Sequence, residues 1–215
     1  MKKVEKYFSE FLGTFILLFS IVGSGIMGTS LSSNESVTLL ANAISIGLTL
    51  FVLIVTLRQV SGAHFNPAVT IVFIILKKIK FRNGLIYIIV QIIGGCLGVV
   101  FANLIFDLEP IQYASKVRGG SNTFLSEIFA TFGLLFFILR NGKKNDVIIG
   151  SIVGSYITAA IWFTSSTSFA NPAVSIARSL TDTFTGIHIS NVPMFILAQL
   201  ISIIITFVVI KKFFR

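Results

Sequence analysis

The feature that most constrains this chain is a short string that occurs twice, once in each half of the sequence. Its core is Asn66, Pro67 and Ala68 within SGAHFNPAVT, and Asn171, Pro172 and Ala173 within SFANPAVSIA. In each copy the asparagine can cap free backbone N–H groups of a helix, and the proline suits the first helical position, where no N–H is needed. Each copy opens an apolar stretch that is too short to cross a bilayer. Two such half-helices predict a pathway for small molecules near the bilayer centre.

The composition indicates an integral membrane protein. Of the 215 residues, 54% are hydrophobic and 12% are charged, and the mean hydropathy is +0.93, which leaves too little polar surface for a soluble domain. A spanning helix needs about 20 apolar residues, and we expect the first span to be retained rather than cleaved as a signal peptide. The sequence predicts one all-α membrane domain, 1–215, with half-helices at 66–76 and 171–180 and with spans near 6–27, 37–57, 84–106, 124–139, 147–164 and 192–210.

The basic residues are distributed asymmetrically along the chain, whose net charge is +9. In a six-span topology, 14 of the 17 lysines and arginines lie on the same side of the membrane. The exceptions are Lys116, Arg118 and Arg178. By the positive-inside rule, this distribution predicts a multi-pass protein of the cell membrane with both termini cytoplasmic. It also argues against a nucleic-acid partner. The lone Cys96 excludes an internal disulfide and a cysteine-based metal site.

A second repeated pattern relates the two halves of the chain. The string EFLGTF, which begins at Glu10, recurs as EIFATF from Glu127, again early in a span. With three spans in each half, approximately 1–115 and 116–215, the second half is predicted to insert upside down relative to the first. The first half-helix then enters from the cytoplasm and the second from outside, so that Asn66 and Asn171 meet near the centre.

Two facing half-helix N-termini predict a pore for uncharged molecules. Each N-terminus carries about half a positive elementary charge, so the pair is expected to repel cations. The amides of Asn66 and Asn171 can donate hydrogen bonds to a neutral oxygen, and a water molecule held in this way is poorly placed to relay a proton. We expect no metal, no cofactor and no enzymatic reaction.

Two carboxylates and one histidine are further candidates for a functional role. Glu10 and Glu127 lie within apolar spans, where a carboxylate is costly unless it faces protein or water. Each is expected to accept hydrogen bonds from the re-entrant loop of its own half and to orient the carbonyl groups along the path. An interfacial charge near a span end is the alternative. His64 is expected to pack against the backbone of the first loop, with pore lining or pH gating as alternatives.

These motifs resemble the aquaporin, or major intrinsic protein, family over essentially the whole chain. The resemblance rests on SGAHFNPAVT, on the second NPA and on the repeated EFLGTF and EIFATF strings. It implies six transmembrane helices plus two re-entrant half-helices in an inverted repeat, one pore in each subunit, and a homotetramer in the lipid bilayer. It also implies passive conduction of water or small uncharged solutes without a cofactor.

The family resemblance implies a selectivity filter, and here the chain departs from the usual pattern. Most members carry arginine directly after the second NPA, where this chain has Val174. Counted back from the asparagine of each motif, the other filter positions correspond to Ile46, Ala159 and Ser168, and water-specific members typically have phenylalanine and histidine at the first two. These residues predict a wider, more apolar filter that admits glycerol-like polyols. The segment around Val174 is similar to a bacterial branch found with arsenic-resistance genes, which implies passage of neutral metalloid hydroxides such as arsenous acid.

Arg178 lies one helical turn beyond Val174, and the sequence leaves two interpretations of it. We favour an ion pair with Asp182 at position i+4. Alternatively, Arg178 stands in the outer vestibule and partly replaces the charge that the filter lacks.

Two other functions remain as alternatives. The first is a water-only aquaporin. The second, from a different class, is an ion-coupled secondary transporter, since inverted repeats and broken helices also occur there. Against the transporter, the sequence places no Asp, Glu or His where a coupling ion would bind beside the half-helix tips.

Overall fold

The computed structural model describes residues 3–214. In that part of the chain the helices are α1 (Lys3–Leu31), α2 (Glu35–Ser61), α3 (Pro67–Ile75), α4 (Phe81–Ile105), α5 (Ser121–Asn141), α6 (Asp146–Phe163), α7 (Pro172–Ala177) and α8 (Val192–Phe213). Short 3₁₀ turns occupy Arg178–Leu180 and Ile189–Asn191.

Among the described residues, six helices are long and apolar enough to cross a membrane, namely α1, α2, α4, α5, α6 and the segment that contains α8. The other two, α3 and α7, have nine and six residues. This confirms the predicted class of six transmembrane helices plus two half-helices. The second half-helix is shorter than expected, because the backbone tightens into a 3₁₀ turn from Arg178 onward.

The spanning helices pack closely at glycine residues, which have no side chain to separate the two backbones. A Cβ atom added to Gly94 would clash with the carbonyl oxygen of Phe11, so α4 and α1 are in backbone contact there. A Cβ on Gly154 would lie 2.5 Å from the carbonyl oxygen of Gly47, where α6 crosses α2. Small residues at such crossings let helices associate in lipid by van der Waals contact.

The two half-helices meet inside this bundle. They contact each other, and both α3 and α7 pack against α4 and α8. Their N-terminal residues are buried: Asn66 is 4% exposed and Asn171 is 5% exposed. The predicted meeting of the two motifs in the interior is therefore present in the structure.

Candidate functional site

Each half-helix begins at the predicted asparagine and proline. Asn66 Oδ1 accepts a hydrogen bond from the N–H of Ala68 at 2.8 Å, and Pro67 is the first residue of α3. In the second half, Asn171 Oδ1 accepts from the N–H of Ala173 at 3.0 Å. Both asparagines have extended backbone geometry typical of an N-cap. The caps fix the orientation of both amides.

The two asparagine amides are also bonded across the centre of the molecule. Nδ2 of Asn66 donates to the carbonyl oxygen of Ala170 at 2.7 Å, and Nδ2 of Asn171 donates to the carbonyl oxygen of Phe65 at 2.8 Å. Each acceptor belongs to the residue directly before the other asparagine. The two half-helix N-termini are thus held facing one another.

A cavity of about 630 Å³ passes between these N-termini. Its wall includes Glu35 and Lys116 at one end and Arg58 and Gly142 at the other, so it extends across the bundle. Its middle is mostly apolar and is lined by matching positions of the two halves. These are Leu17, Ile21, Ile46, Leu50 and Ile54 from α1 and α2, and Leu134, Ile138, Val153, Ile157 and Ile161 from α5 and α6.

The structure places three of the four predicted filter residues on the cavity wall. Ile46, Ser168 and Val174 all line it, and all three are buried. Ala159 does not, and its assignment from spacing is wrong. Helix α6 presents Ile157 and Ile161 to the cavity; Ala159 lies two residues from each, about 200° around the helix, and is exposed on the opposite face.

Glu10 is fully buried and binds the first re-entrant loop. Its Oε1 accepts from the N–H of His64 at 3.0 Å and from Ser61 Oγ at 2.6 Å. Its Oε2 accepts from the N–H of Phe65 at 2.7 Å. A carboxylate that accepts several hydrogen bonds is stabilised in a buried position, so Glu10 is an internal anchor rather than an interfacial charge.

Glu127 makes the equivalent contacts in the second half. It is fully buried, and it accepts from the N–H groups of Phe169 at 3.2 Å and Ala170 at 2.5 Å. The residues that donate are therefore those directly before each central asparagine. Both loops carry left-handed backbone there, with φ of 48° at Phe65 and 49° at Ala170, a conformation that needs support from its surroundings.

Two glutamines complete this network, and the sequence reasoning missed them. Gln91 Nε2 donates to Glu10 Oε2 at 2.8 Å and to Thr70 Oγ1 at 3.0 Å. Gln199 Nε2 donates to Glu127 Oε1 at 2.7 Å, and also to Ser175 Oγ. A signal was present: both glutamines are polar residues inside apolar spans, which is the rule that singled out the glutamates.

The imidazole of His64 packs within the first loop and also borders the cavity. Its Nδ1 lies 3.1 Å from Thr70 Oγ1, and the side chain is 8% exposed. The rings of Phe73 and Tyr87 contact it, with centroids at 4.5 and 5.5 Å. His64 therefore lies both within the first loop and on the cavity wall.

The expected ion pair between Arg178 and Asp182 does not form. Asp182 instead accepts from the N–H and the Oγ of Ser115, each at 2.8 Å, and these donors lower the pKa of its carboxyl. Nε of Arg178 donates to the carbonyl oxygen of Thr185, and the side chain lines the cavity. The segment leaves the α-helix at Arg178, which removes the i, i+4 geometry that the pair needs.

The loop residues that border the cavity also contain polar backbone atoms. Within residues 3–214, the carbonyl oxygens of Ala63, His64, Ser168 and Phe169 accept no hydrogen bond, and buried carbonyls normally require a partner. Among the described cavity-lining residues, the only carboxylate is that of Glu35, at one end. Residues 3–214 also contain no group of three His, Cys, Asp or Glu side chains that could hold a metal ion.

Comparison with known proteins gives a consistent result. The family model described as major intrinsic protein matches residues 1–169. The aquaglyceroporin AqpS of Rhizobium meliloti (strain 1021) is 46% identical over 193 residues, covering 90% of this chain and 83% of that protein. A probable NIP-type aquaporin of Nicotiana alata is 33% identical over 195 residues, covering 86% and 71%.

The fold also matches a solved structure. The X-ray structure of the aquaglyceroporin from Plasmodium falciparum superposes with a TM-score of 0.81 and covers 99% of this chain and 97% of its own. Sequence identity between the two is 23%, so this likeness is evidence for the fold alone.

Proposed function

The chain belongs to the major intrinsic protein family, and from this premise we propose that it is a passive channel for water and small uncharged solutes such as glycerol. Members of this family are channels rather than enzymes. The observation that carries the proposal is the cavity between the two half-helix N-termini, with Asn66 and Asn171 at its centre. Facing helix dipoles disfavour cations there, while amide N–H groups and carbonyl oxygens can replace the hydration of a neutral molecule.

The filter supports solutes larger than water. Ile46, Ile161 and Val174 contribute apolar side chains, and Ser168 contributes one hydroxyl. None of these four residues has an aromatic ring, and position 174 has no cation. The steric and desolvation barriers to a polyol are therefore low. The same chemistry fits neutral metalloid hydroxides such as arsenous acid, which present several hydroxyl groups and no charge. The relative AqpS is named an aquaglyceroporin, which supports the glycerol part of this proposal.

The supporting residues act through the loops. We infer that Glu10 and Glu127 hold the two re-entrant loops in the left-handed conformation that keeps carbonyl oxygens available to solute. His64 contributes its own N–H to Glu10 and its ring to the cavity wall. Loss of either glutamate is therefore expected to disturb the pathway rather than to remove a charged site.

We further infer a homotetramer in the cell membrane with both termini cytoplasmic, formed by one domain of two repeats, 1–115 and 116–215. Large apolar side chains are exposed on the outer faces of the spans, as at Leu48, Ile93 and Ile204, and lipid or neighbouring subunits must cover them. Native mass spectrometry in detergent tests the assembly, with four times the mass of one chain expected. Protease treatment of intact cells tests the topology, because a C-terminal tag in the cytoplasm should be protected from cleavage.

Solute flux into proteoliposomes tests the channel and its filter. Wild-type protein should pass water, glycerol and arsenous acid down their gradients without saturation at low concentration. Val174→Arg should keep water flux and lower glycerol flux at least about tenfold, because a long cation then occupies the filter. Val4→Arg places the same change at an exposed site at the start of α1 and should alter neither flux.

The same measurement separates the alternatives. A wild-type protein that passes water but excludes glycerol would be a water-only aquaporin, and the wide filter would be wrong. Uphill solute movement driven by a proton or sodium gradient would indicate a secondary transporter and would overturn the channel.

A further inference from the structure

At the Glu35 end of the cavity, two arginines lie against one aromatic ring. The guanidinium carbon of Arg178 is 3.6 Å from the centroid of the Phe169 ring, and that of Arg118 is 5.4 Å from the same centroid. Both arginines line the cavity, and Arg178 is 6% exposed. Because Phe169 belongs to the second re-entrant loop, two positive charges are held beside the loop that carries Ser168.

Arg118 reaches this position from the linker between α4 and α5. Its Nε donates to the carbonyl oxygen of Gly186 at 2.8 Å, its Nη1 to Thr167 Oγ1 at 3.3 Å, and its Nη2 to the carbonyl oxygen of Phe184 at 3.2 Å. Every acceptor is neutral. These bonds fix the side chain on the cavity wall without cancelling its charge.

Among the described residues, neither guanidinium group forms a salt bridge with a carboxylate, although Glu35 lines the same end of the cavity. The salt bridge between Arg58 and Asp146 lies at the opposite end of the cavity, while Asp182 is bonded to Ser115. Burial lowers the pKa of Arg118 to about 10, which leaves the group protonated at neutral pH. A buried charge without a counter-ion is costly, so its position here needs a functional explanation.

Unused donors are also present on the cavity wall. Nε of Arg178 donates to the carbonyl oxygen of Thr185, and its two Nη atoms have no hydrogen-bond partner among the described residues. Ser168 Oγ is buried in the wall and also lacks a partner. In sequence it lies between Thr167, which binds Arg118, and Phe169, which contacts both arginines. A neutral hydroxyl-bearing solute can satisfy these donors, whereas the two guanidinium groups repel a cation.

We propose that Arg118 and Arg178, held around Phe169, form the cation barrier and the hydrogen-bonding entrance of this channel, in place of a charge at position 174. The inference rests on the proposed channel function. It assigns a selectivity role to Arg118, a residue of a linker that lies outside both repeated motifs. It also explains how an apolar filter with Val174 excludes cations while it admits polyols.

The test compares proton leak with water flux in the same proteoliposomes, using a pH-sensitive dye inside the vesicles for the leak and light scattering for water. In the Arg118→Gln/Arg178→Gln double variant, the ratio of leak to water flux should rise at least about tenfold, which corresponds to about 1.4 kcal/mol of barrier. Adding Val174→Arg to the double variant should lower the ratio again, because a cation is returned to the pathway. Arg82→Gln, an exposed arginine at the start of α4, is the matched control and should keep the wild-type ratio.

Each outcome bears on the inference. A ratio within about twofold of wild type in the double variant, or an equal rise in Arg82→Gln, would overturn it. If the double variant does not reconstitute, Arg178→Gln alone, with and without Val174→Arg, gives the same comparison, since it loses a single hydrogen bond. Wild-type protein that conducts neither water nor glycerol would overturn the channel itself and this inference with it. Wild-type conduction with no change in the variants would overturn the inference alone.

Discussion

Asn66 and Asn171 exchange hydrogen bonds across the molecular centre, each donating from Nδ2 to the carbonyl oxygen that precedes the other. Their Oδ1 atoms are already used as caps of α3 and α7. Rotating either amide by half a turn would point its NH₂ group at backbone N–H donors, so the orientation of each is determined. One N–H of each Nδ2 forms the hydrogen bond across the centre. The second N–H of each Nδ2 can therefore donate to a solute oxygen. The same pair of residues thus joins the two halves and presents donors to the pore.

Removing the hydrogen bonds between the two motifs should lower the free energy of unfolding more than removing an ordinary helix cap. Asn171→Ala loses a cap, worth about 1 kcal/mol, and a buried hydrogen bond of about 1 kcal/mol. Asn34→Ala loses only the exposed cap of α2, where Oδ1 accepts from the N–H of Ser36. Thermal unfolding in detergent should show a larger drop for Asn171→Ala, and only that variant should lose water flux. Equal drops with equal flux would contradict the role of the exchange.

Glu127 should be needed for the shape of the second loop. In Glu127→Gln the amide keeps the volume but places an NH₂ group where Phe169, Ala170 and Gln199 all donate. At least one charge-assisted hydrogen bond is lost, at about 1.5–3 kcal/mol. We expect a lower unfolding temperature and at least a several-fold fall in water and glycerol flux.

The control for that experiment is Glu109→Gln, the same change at an exposed residue of the linker after α4. It should leave both unfolding and flux at wild-type levels. If Glu127→Gln conducts as well as Glu109→Gln, the loop does not depend on the carboxylate.

The sequence predicted the parts of this site that depend on local chemistry. Asn66 and Asn171 were identified as caps because Asn-Pro before an apolar run has one strong local interpretation. Glu10 and Glu127 were identified because a carboxylate in an apolar span needs a partner. Their partners Gln91 and Gln199 are also polar residues in apolar spans, so the same rule can identify them.

Other parts depend on tertiary geometry that spacing does not contain. Ala159 was misplaced because counting back from Asn171 assumes a fixed loop length, whereas the rotation of α6 decides which residues face the cavity. The i, i+4 spacing pairs Arg178 with Asp182 only in a continuous α-helix, and the helix ends before Arg178. Arg118 could not be assigned, since nothing local in the linker indicates that it reaches Phe169 in the second re-entrant loop.

The linker between α4 and α5 should loosen in acid through Asp182. The N–H and Oγ of Ser115 favour the ionised carboxyl and lower its pKa below the ordinary 3.8. A carboxyl with a lowered pKa stabilises the fold above its ordinary pKa, and this contribution is lost as the pH falls through the lowered value. Unfolding temperatures of wild type and Asp182→Asn should therefore differ at pH 6 and converge toward pH 2.

The face of α6 that borders the cavity gives the sharpest test of the filter. Ile161→Phe adds a ring to a residue that is 4% exposed and lines the pathway, so it should narrow the pore and lower glycerol flux at least about tenfold while water flux falls less. Ala159→Phe makes a larger change two residues away, on the exposed face, and should leave both fluxes unchanged because the added ring enters lipid or a subunit contact. Light scattering with water and glycerol gradients on the same vesicles measures the ratio. If Ala159→Phe instead blocks glycerol and Ile161→Phe does not, α6 is rotated by about half a turn from the position described here, and Ala159 would return to the filter.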